Sequence, residues 1–177
     1  MGCTLERARL YATWRLQVVT DKIEKTTTLK ASLDRVWHAI SDSTAFGTWF
    51  GMTLEGPFIE GQTVSGAIAK TQVDDEIARH QGPYVGVRCD LKIERIVPRK
   101  LLAFRWHPGA DGDVGPNAPT TLVTFELEEV PGGTRLTITE SGFEALPLER
   151  RAKAFADNEG GWEAQLGLIA KYLARPV

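Results

Sequence analysis

Cysteine is nearly absent: the 177-residue chain holds only Cys3 and Cys89. No zinc-ligand spacing can be built from them, and a domain of this size needs neither a disulfide framework nor a structural metal to stay folded. Cys89 falls in an apolar-alternating segment, where a thiol is expected simply to pack. Long hydrophobic runs are missing as well. No stretch approaches the roughly 18 apolar residues of a membrane span, and the first residues lack a signal-peptide layout, so the expectation is a cytoplasmic protein without membrane insertion. Glu6 stands where the myristoylation pattern that Met1-Gly2-Cys3 would open wants Ser or Thr. An excess of one charge is lacking too: 21 Lys and Arg face 23 Asp and Glu, a net charge of -2, which leaves no basic stripe for nucleic acid. Nor is there a GxSxG, HExxH, CxxC, phosphate-cradling glycine loop or dinucleotide fingerprint. His38, His80 and His107 lie far apart, so no metal or cofactor is expected and no residue is assigned a catalytic role.

What is present is apolar periodicity. Lys22 to Leu29 is rich in β-branched residues and reads as a first strand. Ser32 then caps a helix whose Leu33, Val36, Trp37 and Ile40 share a face, and Asp42-Ser43 caps a second short one carrying Phe46, Trp49 and Phe50 and stopping at Gly51. From Met52 onward strands alternate with turns. Alternation predicts a strand over 84–95, then inward sets Leu102, Phe104, Trp106; Val123, Phe125, Leu127; and Leu136, Ile138, Glu140. Residues 70–83 and 107–119 read as long loops. A long amphipathic helix begins near Pro147, with a stripe of Phe155, Glu159, Trp162, Leu166, Ile169 and Leu173. The pattern predicts an α+β fold of the helix-grip kind: a curved antiparallel sheet around a long C-terminal helix, with two short helices after the first strand. One domain is expected over 21–177, preceded by an extension over 1–20 that suits a short helix or a loose arm.

Two carboxyls fall on inward positions. Glu159 on the apolar stripe must find a partner, reach water or hold a proton, either inside a ligand cavity or, with the helix rolled by about one residue, at the sheet edge. Glu140 carries the same ambiguity, and its place at a strand end favours exposure. Gly160-Gly161 within the helix costs about 1 kcal/mol per glycine relative to alanine. That pair either makes room for Trp37 or Trp106, the favoured reading, or bends the helix to open a pocket. The many aromatics can fill a solid core or line a hollow one; a single helix covering a strongly curved sheet raises the hollow reading.

The order strand, two short helices, strands, long helix resembles the START-like helix-grip superfamily, also called SRPBCC or Bet v allergen-like. More narrowly, Ile23-Glu24-Lys25, Val36-Trp37-His38-Ala39-Ile40, Phe46-Gly47-Thr48-Trp49-Phe50, Leu54-Glu55-Gly56-Pro57-Phe58, Phe104-Arg105-Trp106-His107-Pro108, Thr139-Glu140-Ser141-Gly142-Phe143 and Asn158-Glu159-Gly160-Gly161-Trp162 resemble its bacterial activator-of-heat-shock-ATPase homologue (AHSA-like) branch. The resemblance implies a pocket between sheet and helix for a small apolar, aromatic or lipid-like ligand, with no particular reaction. Carried onto this chain, its wall would be Trp49, Phe50, Phe104, Trp106, Phe155 and Trp162, with Glu159 or His107 orienting a polar substituent.

Ligand binding without chemistry is therefore the leading expectation. An enzyme acting on an aromatic or polyketide-like compound, with Glu159 or His107 as acid or base, is the first alternative. The second is a chaperone-associated or stress-response interaction module, against which stands the lack of room for the separate N-terminal domain that serves partner recognition in the family's eukaryotic namesake. A homodimer is compatible with the sequence.

Overall fold

The structure, a computed structural model, describes residues 21–109, 115 and 117–176; the expected extension over 1–20 lies outside them. Strand β1 (Lys22–Leu29) is followed by helices α1 (Leu33–Ser41) and α2 (Ser43–Phe50). The short strands β2 (Met52–Leu54), β3 (Thr63–Val64) and β4 (Gly66–Ile68) lead to helix α3 (Asp75–Gln81). Strands β5 (Leu91–Val97), β6 (Leu101–Trp106), β7 (Thr121–Val130) and β8 (Gly133–Ser141) then complete the sheet, and helix α4 (Leu148–Leu173) closes the chain. Six strands pair antiparallel in the order β1-β8-β7-β6-β5-β3, and β2 pairs with β4 separately. This is the α+β helix-grip architecture.

Local chemistry explains the elements that frame the site. Ser32 Oγ accepts from the Arg35 amide to start α1, and Asp42 Oδ1 accepts from the Ala45 amide at 2.8 Å to start α2. Gly51 ends α2 at φ 88°, a left-handed conformation that glycine adopts without penalty. Gly47 serves a different purpose: a Cβ there would stand 2.4 Å from the Met52 carbonyl oxygen, so α2 and β2 can approach this closely only over a glycine. Alternation along the strands sends Leu102 and Phe104 of β6, Val123 and Phe125 of β7, and Leu136 and Ile138 of β8 into one core, where each is fully buried. Helix α4 lays Ala154, Trp162, Leu166, Ile169 and Leu173 onto that face. Each of the larger of these side chains contributes about 1.5–3 kcal/mol of burial, so the helix is held by packing rather than by its propensity.

Several expectations are corrected. The strand foreseen over 84–95 begins only at Leu91; a 3-10 turn occupies Gly82–Tyr84, and a bulge interrupts the register between Ile93 and Arg95. The loop foreseen over 70–83 holds α3, which the Asp74 side chain caps by accepting from Ile77, with Asp75 and Glu76 in the first turn and Arg79 and His80 in the last. Gly160 and Gly161 make no close approach: a Cβ on either meets nothing within 4 Å, and α4 passes through them unbroken. Cys89, one residue past the isolated bridge at Arg88, has its thiol pushed up to about 12 by burial, with the Asp90 charge adding to the shift.

Candidate functional site

The polar centre of the molecule is Glu140, the last inward-facing residue of β8. Its registry partners are Ile23 on β1 and Val123 on β7, and its side chain is fully buried. The expectation of strand-end exposure is thus overturned: the neighbours of a strand end here are α4 and the end of β6, which close over it. Every group around this carboxylate is a donor. Trp106 Nε1 (2.9 Å), Thr121 Oγ1 (2.5 Å) and Asn158 Nδ2 (2.9 Å) reach Oε1; Trp162 Nε1 (2.6 Å) and Asn158 Nδ2 (3.0 Å) reach Oε2. Removing a carboxylate from water costs several kcal/mol unless its lone pairs are satisfied, and here four side chains from β6, β7 and α4 satisfy them. With its acceptor sites so occupied and no exposed surface, Glu140 is not offered to solvent. Its physical effect is to fix its four donors.

The consequence is the orientation of two indoles. Trp106 and Trp162 both point their N–H groups at Glu140 and so stand 5.4 Å apart, tilted by 31°. Phe50 meets both edge-on, at 6.1 Å from Trp106 and 5.9 Å from Trp162. Above these three rings lies a half-open cavity of about 630 Å³. Its far side is formed by Ile68, Gln81 and Tyr84, and its α4 side by Arg150, Ala154, Asn158, Gly161 and Gln165. The bare surface of Gly161 opens directly onto it, which gives that glycine a place in the cavity rather than in helix packing. Because the indole N–H groups are consumed below, the floor offers carbon faces only.

The expected site residues separate into three groups. Phe50, Trp106 and Trp162 come together on the cavity wall. Trp49 and Phe104 lie in the solid core behind them, both with no exposed surface, and Trp49 Nε1 donates to the Ala39 carbonyl at 2.8 Å. His107, Phe155 and Glu159 stand off the wall. His107 Nδ1 faces the Pro119 carbonyl at 3.1 Å, and Phe155 packs edge-on against Phe143 at 5.1 Å. Glu159 is exposed and pairs with Lys25 of β1 at 3.7 Å, because the helix is rolled so that Asn158 rather than Glu159 turns inward. Lys25 also meets Glu163 at 3.4 Å.

Sequence reasoning missed Asn158, Gly161 and Gln165 as cavity residues, although all sit at three and four residue spacings along one face of α4. It had placed Glu140 on the inward set but not drawn the conclusion. Among the described residues no group of three or more His, Cys, Asp or Glu could hold a metal ion, and no helix is long and apolar enough to cross a membrane.

Residues 30–174 match the family described as activator of Hsp90 ATPase homolog 1-like protein. No curated protein sequence matches the chain. Among solved structures, the chain is similar to protein MLL2253 from Mesorhizobium loti, with 18% identity and a TM-score of 0.66 over 88% of this chain and 98% of that one. The Aha1 dimer from Colwellia psychrerythraea has 18% identity and a TM-score of 0.61 over 86% of this chain and 95% of that one. DynU16, from the dynemicin biosynthetic locus, has 25% identity and a TM-score of 0.61 over 86% of this chain, which spans 47% of the length of DynU16. With a match that takes in β6 to β8 and all of α4, the elements that build the cavity, the chain belongs to the activator of Hsp90 ATPase homolog 1-like protein family.

Proposed function

We propose that this protein binds a small, largely apolar ring compound in the cavity between α4 and the end of the sheet. The observation that carries the proposal is the floor made by Phe50, Trp106 and Trp162, in a cavity of about 630 Å³. Ligand sites fall in the range of about 300–1,000 Å³, with apolar walls and a few placed polar groups. The likeness to a protein of a biosynthetic locus supports a small molecule rather than a macromolecule as the occupant. Binding is favoured over catalysis because Glu159 and His107, the acid–base candidates of the enzyme reading, stand off the wall.

The test is a titration with 2-naphthol followed by calorimetry and by the fluorescence of Trp106 and Trp162. Saturable binding with a rise in melting temperature is expected, because a ligand that binds only the folded state stabilises it by mass action. Gly161→Phe should fill the cavity from α4 and abolish binding while the fold persists. No saturable signal for the wild-type protein, or undiminished binding to Gly161→Phe, would overturn the proposal.

A further inference from the structure

Glu140 also decides which way the amides of the cavity wall face. Asn158 Nδ2 lies 2.9 and 3.0 Å from the two Glu140 oxygens, so its NH₂ is turned down and away from the cavity. The opposite amide orientation would set a carbonyl oxygen against a carboxylate, so the amide cannot flip. Asn158 lines the cavity, and Oδ1, which accepts from no described residue, is the polar atom it has left to present there. Two turns further along the same face, Gln165 repeats the arrangement. Its Nε2 donates to the Phe50 carbonyl at 3.1 Å, while its Oε1 is buried without a hydrogen-bond partner among the described residues. A buried acceptor left unpaired is unfavourable, and a ligand can supply what the protein does not. The turn of the amide that this needs costs little, because the Phe50 carbonyl also receives Gln81 Nε2 at 3.0 Å. Gln81 itself is fully engaged, its Oε1 accepting from the Thr71 amide at 2.7 Å. Asn158 and Gln81 therefore keep their NH₂ groups on the protein, and the amide acceptors left to a ligand are Asn158 Oδ1 and Gln165 Oε1, on a wall that also carries Arg150 and Lys153.

We infer that the cavity selects ring compounds that carry a hydrogen-bond donor, a hydroxyl or an N–H, and that Asn158 and Gln165 are the residues that read it. This rests on the binding proposed above and narrows its chemistry. The matched probes are 2-naphthol and its donor-deleted ether 2-methoxynaphthalene, each titrated calorimetrically at pH 7. One hydrogen bond formed against one left unmade corresponds to about tenfold in affinity, so 2-naphthol should bind about tenfold tighter than the ether.

Gln165→Met removes one acceptor at similar volume and leaves the Phe50 carbonyl paired with Gln81, so it should fold; it should bring the ether and 2-naphthol to within about threefold of each other. Asn158→Leu should do the same, but it also withdraws a donor from Glu140, so the Gln165 variant is the decisive one. If the ether binds as well as 2-naphthol, the inference fails while ligand binding stands. An unchanged preference in Gln165→Met also overturns it. If neither probe binds, the failure lies with the cavity as a ligand site, and the inference falls with it.

Discussion

Replacing Glu140 by glutamine changes one oxygen into an NH₂ group and almost nothing in shape, yet it should be among the most damaging conservative substitutions in the protein. The reason is counting. All the neighbours of the carboxylate donate: Trp106, Thr121 and Asn158 to Oε1, Asn158 and Trp162 to Oε2. A glutamine must aim its NH₂ at one of these two sets. Placed at the Oε2 position, it faces Trp162 Nε1 and Asn158 Nδ2; placed at Oε1, it faces Trp106 Nε1 and Asn158 Nδ2, with only the Thr121 hydroxyl able to rotate and accept. Either way at least one indole N–H is left buried and unpaired, at about 1–3 kcal/mol, and the remaining bonds lose the extra strength a carboxylate gives them. The sum is about 3 kcal/mol. For a chain of this length that lowers the melting temperature by roughly 6–12 °C. Urea denaturation measures the free energy, and the fluorescence of the two released indoles reports the geometry independently. A Glu140→Gln protein within about 0.5 kcal/mol of wild type, with unchanged tryptophan emission, would refute the claim that this carboxylate holds the indoles in place.

Three further expectations follow from other parts of the structure. Gly160→Ala should stabilise the protein by about 0.5–1 kcal/mol in urea denaturation, because its Cβ meets nothing and alanine restores helix propensity; a loss of stability would show that the glycine is needed. The Lys171 ammonium, which hydrogen-bonds the Asp74 carboxylate, and the Ile77 amide hold that carboxyl below its usual range. A group lowered on folding adds stability above its unfolded value and loses it as the pH falls through the folded one, so Asp74→Asn should be less stable than wild type at pH 7, with the difference closing as the pH falls below the usual carboxylate range. Cys89, with its thiol near 12, should resist iodoacetamide at pH 8 until denaturant is added, as read by peptide mapping; labelling in the folded protein would contradict its burial.

How far the sequence could be read depends on what kind of signal each element carries. The long strands and α4 announce themselves because a buried face needs a sustained period, and β7, β8 and α4 supply nine, ten or more residues of it. Helix α3 offers seven residues and no buried one, so periodicity has nothing to report; only the Asp74 cap and the charge asymmetry between its two ends mark it. The three-residue strands β2 and β4 are likewise too short to alternate, and are fixed instead by pairing with each other. At the site, the aromatic wall was legible for Phe50, Trp106 and Trp162, yet the same reasoning could not separate them from Trp49 and Phe104, since a ring behind a cavity and a ring lining it obey one pattern. A phase error of one residue along α4 decided the rest, exchanging Asn158 for Glu159 at the inward position.

That exchange shows why Glu140 and Asn158 belong to one device. A carboxylate in a core is tolerated only with donors on every side, and the donors nearest in space are side chains with something else to offer: two indoles with flat carbon faces and an amide with an opposite end. Drawing their N–H groups to one buried point leaves those other surfaces turned outward together. Had Glu140 been leucine, as the alternation of Leu136 and Ile138 would suggest, the two indole N–H groups would have needed partners elsewhere, and the cavity itself would be the nearest polar space. The buried charge thus makes the floor apolar by collecting the polarity beneath it. The proposed ligand would meet carbon below and, at Asn158 and Gln165 of α4, amide oxygen beside it, the arrangement inferred above to distinguish a hydroxylated ring from its ether.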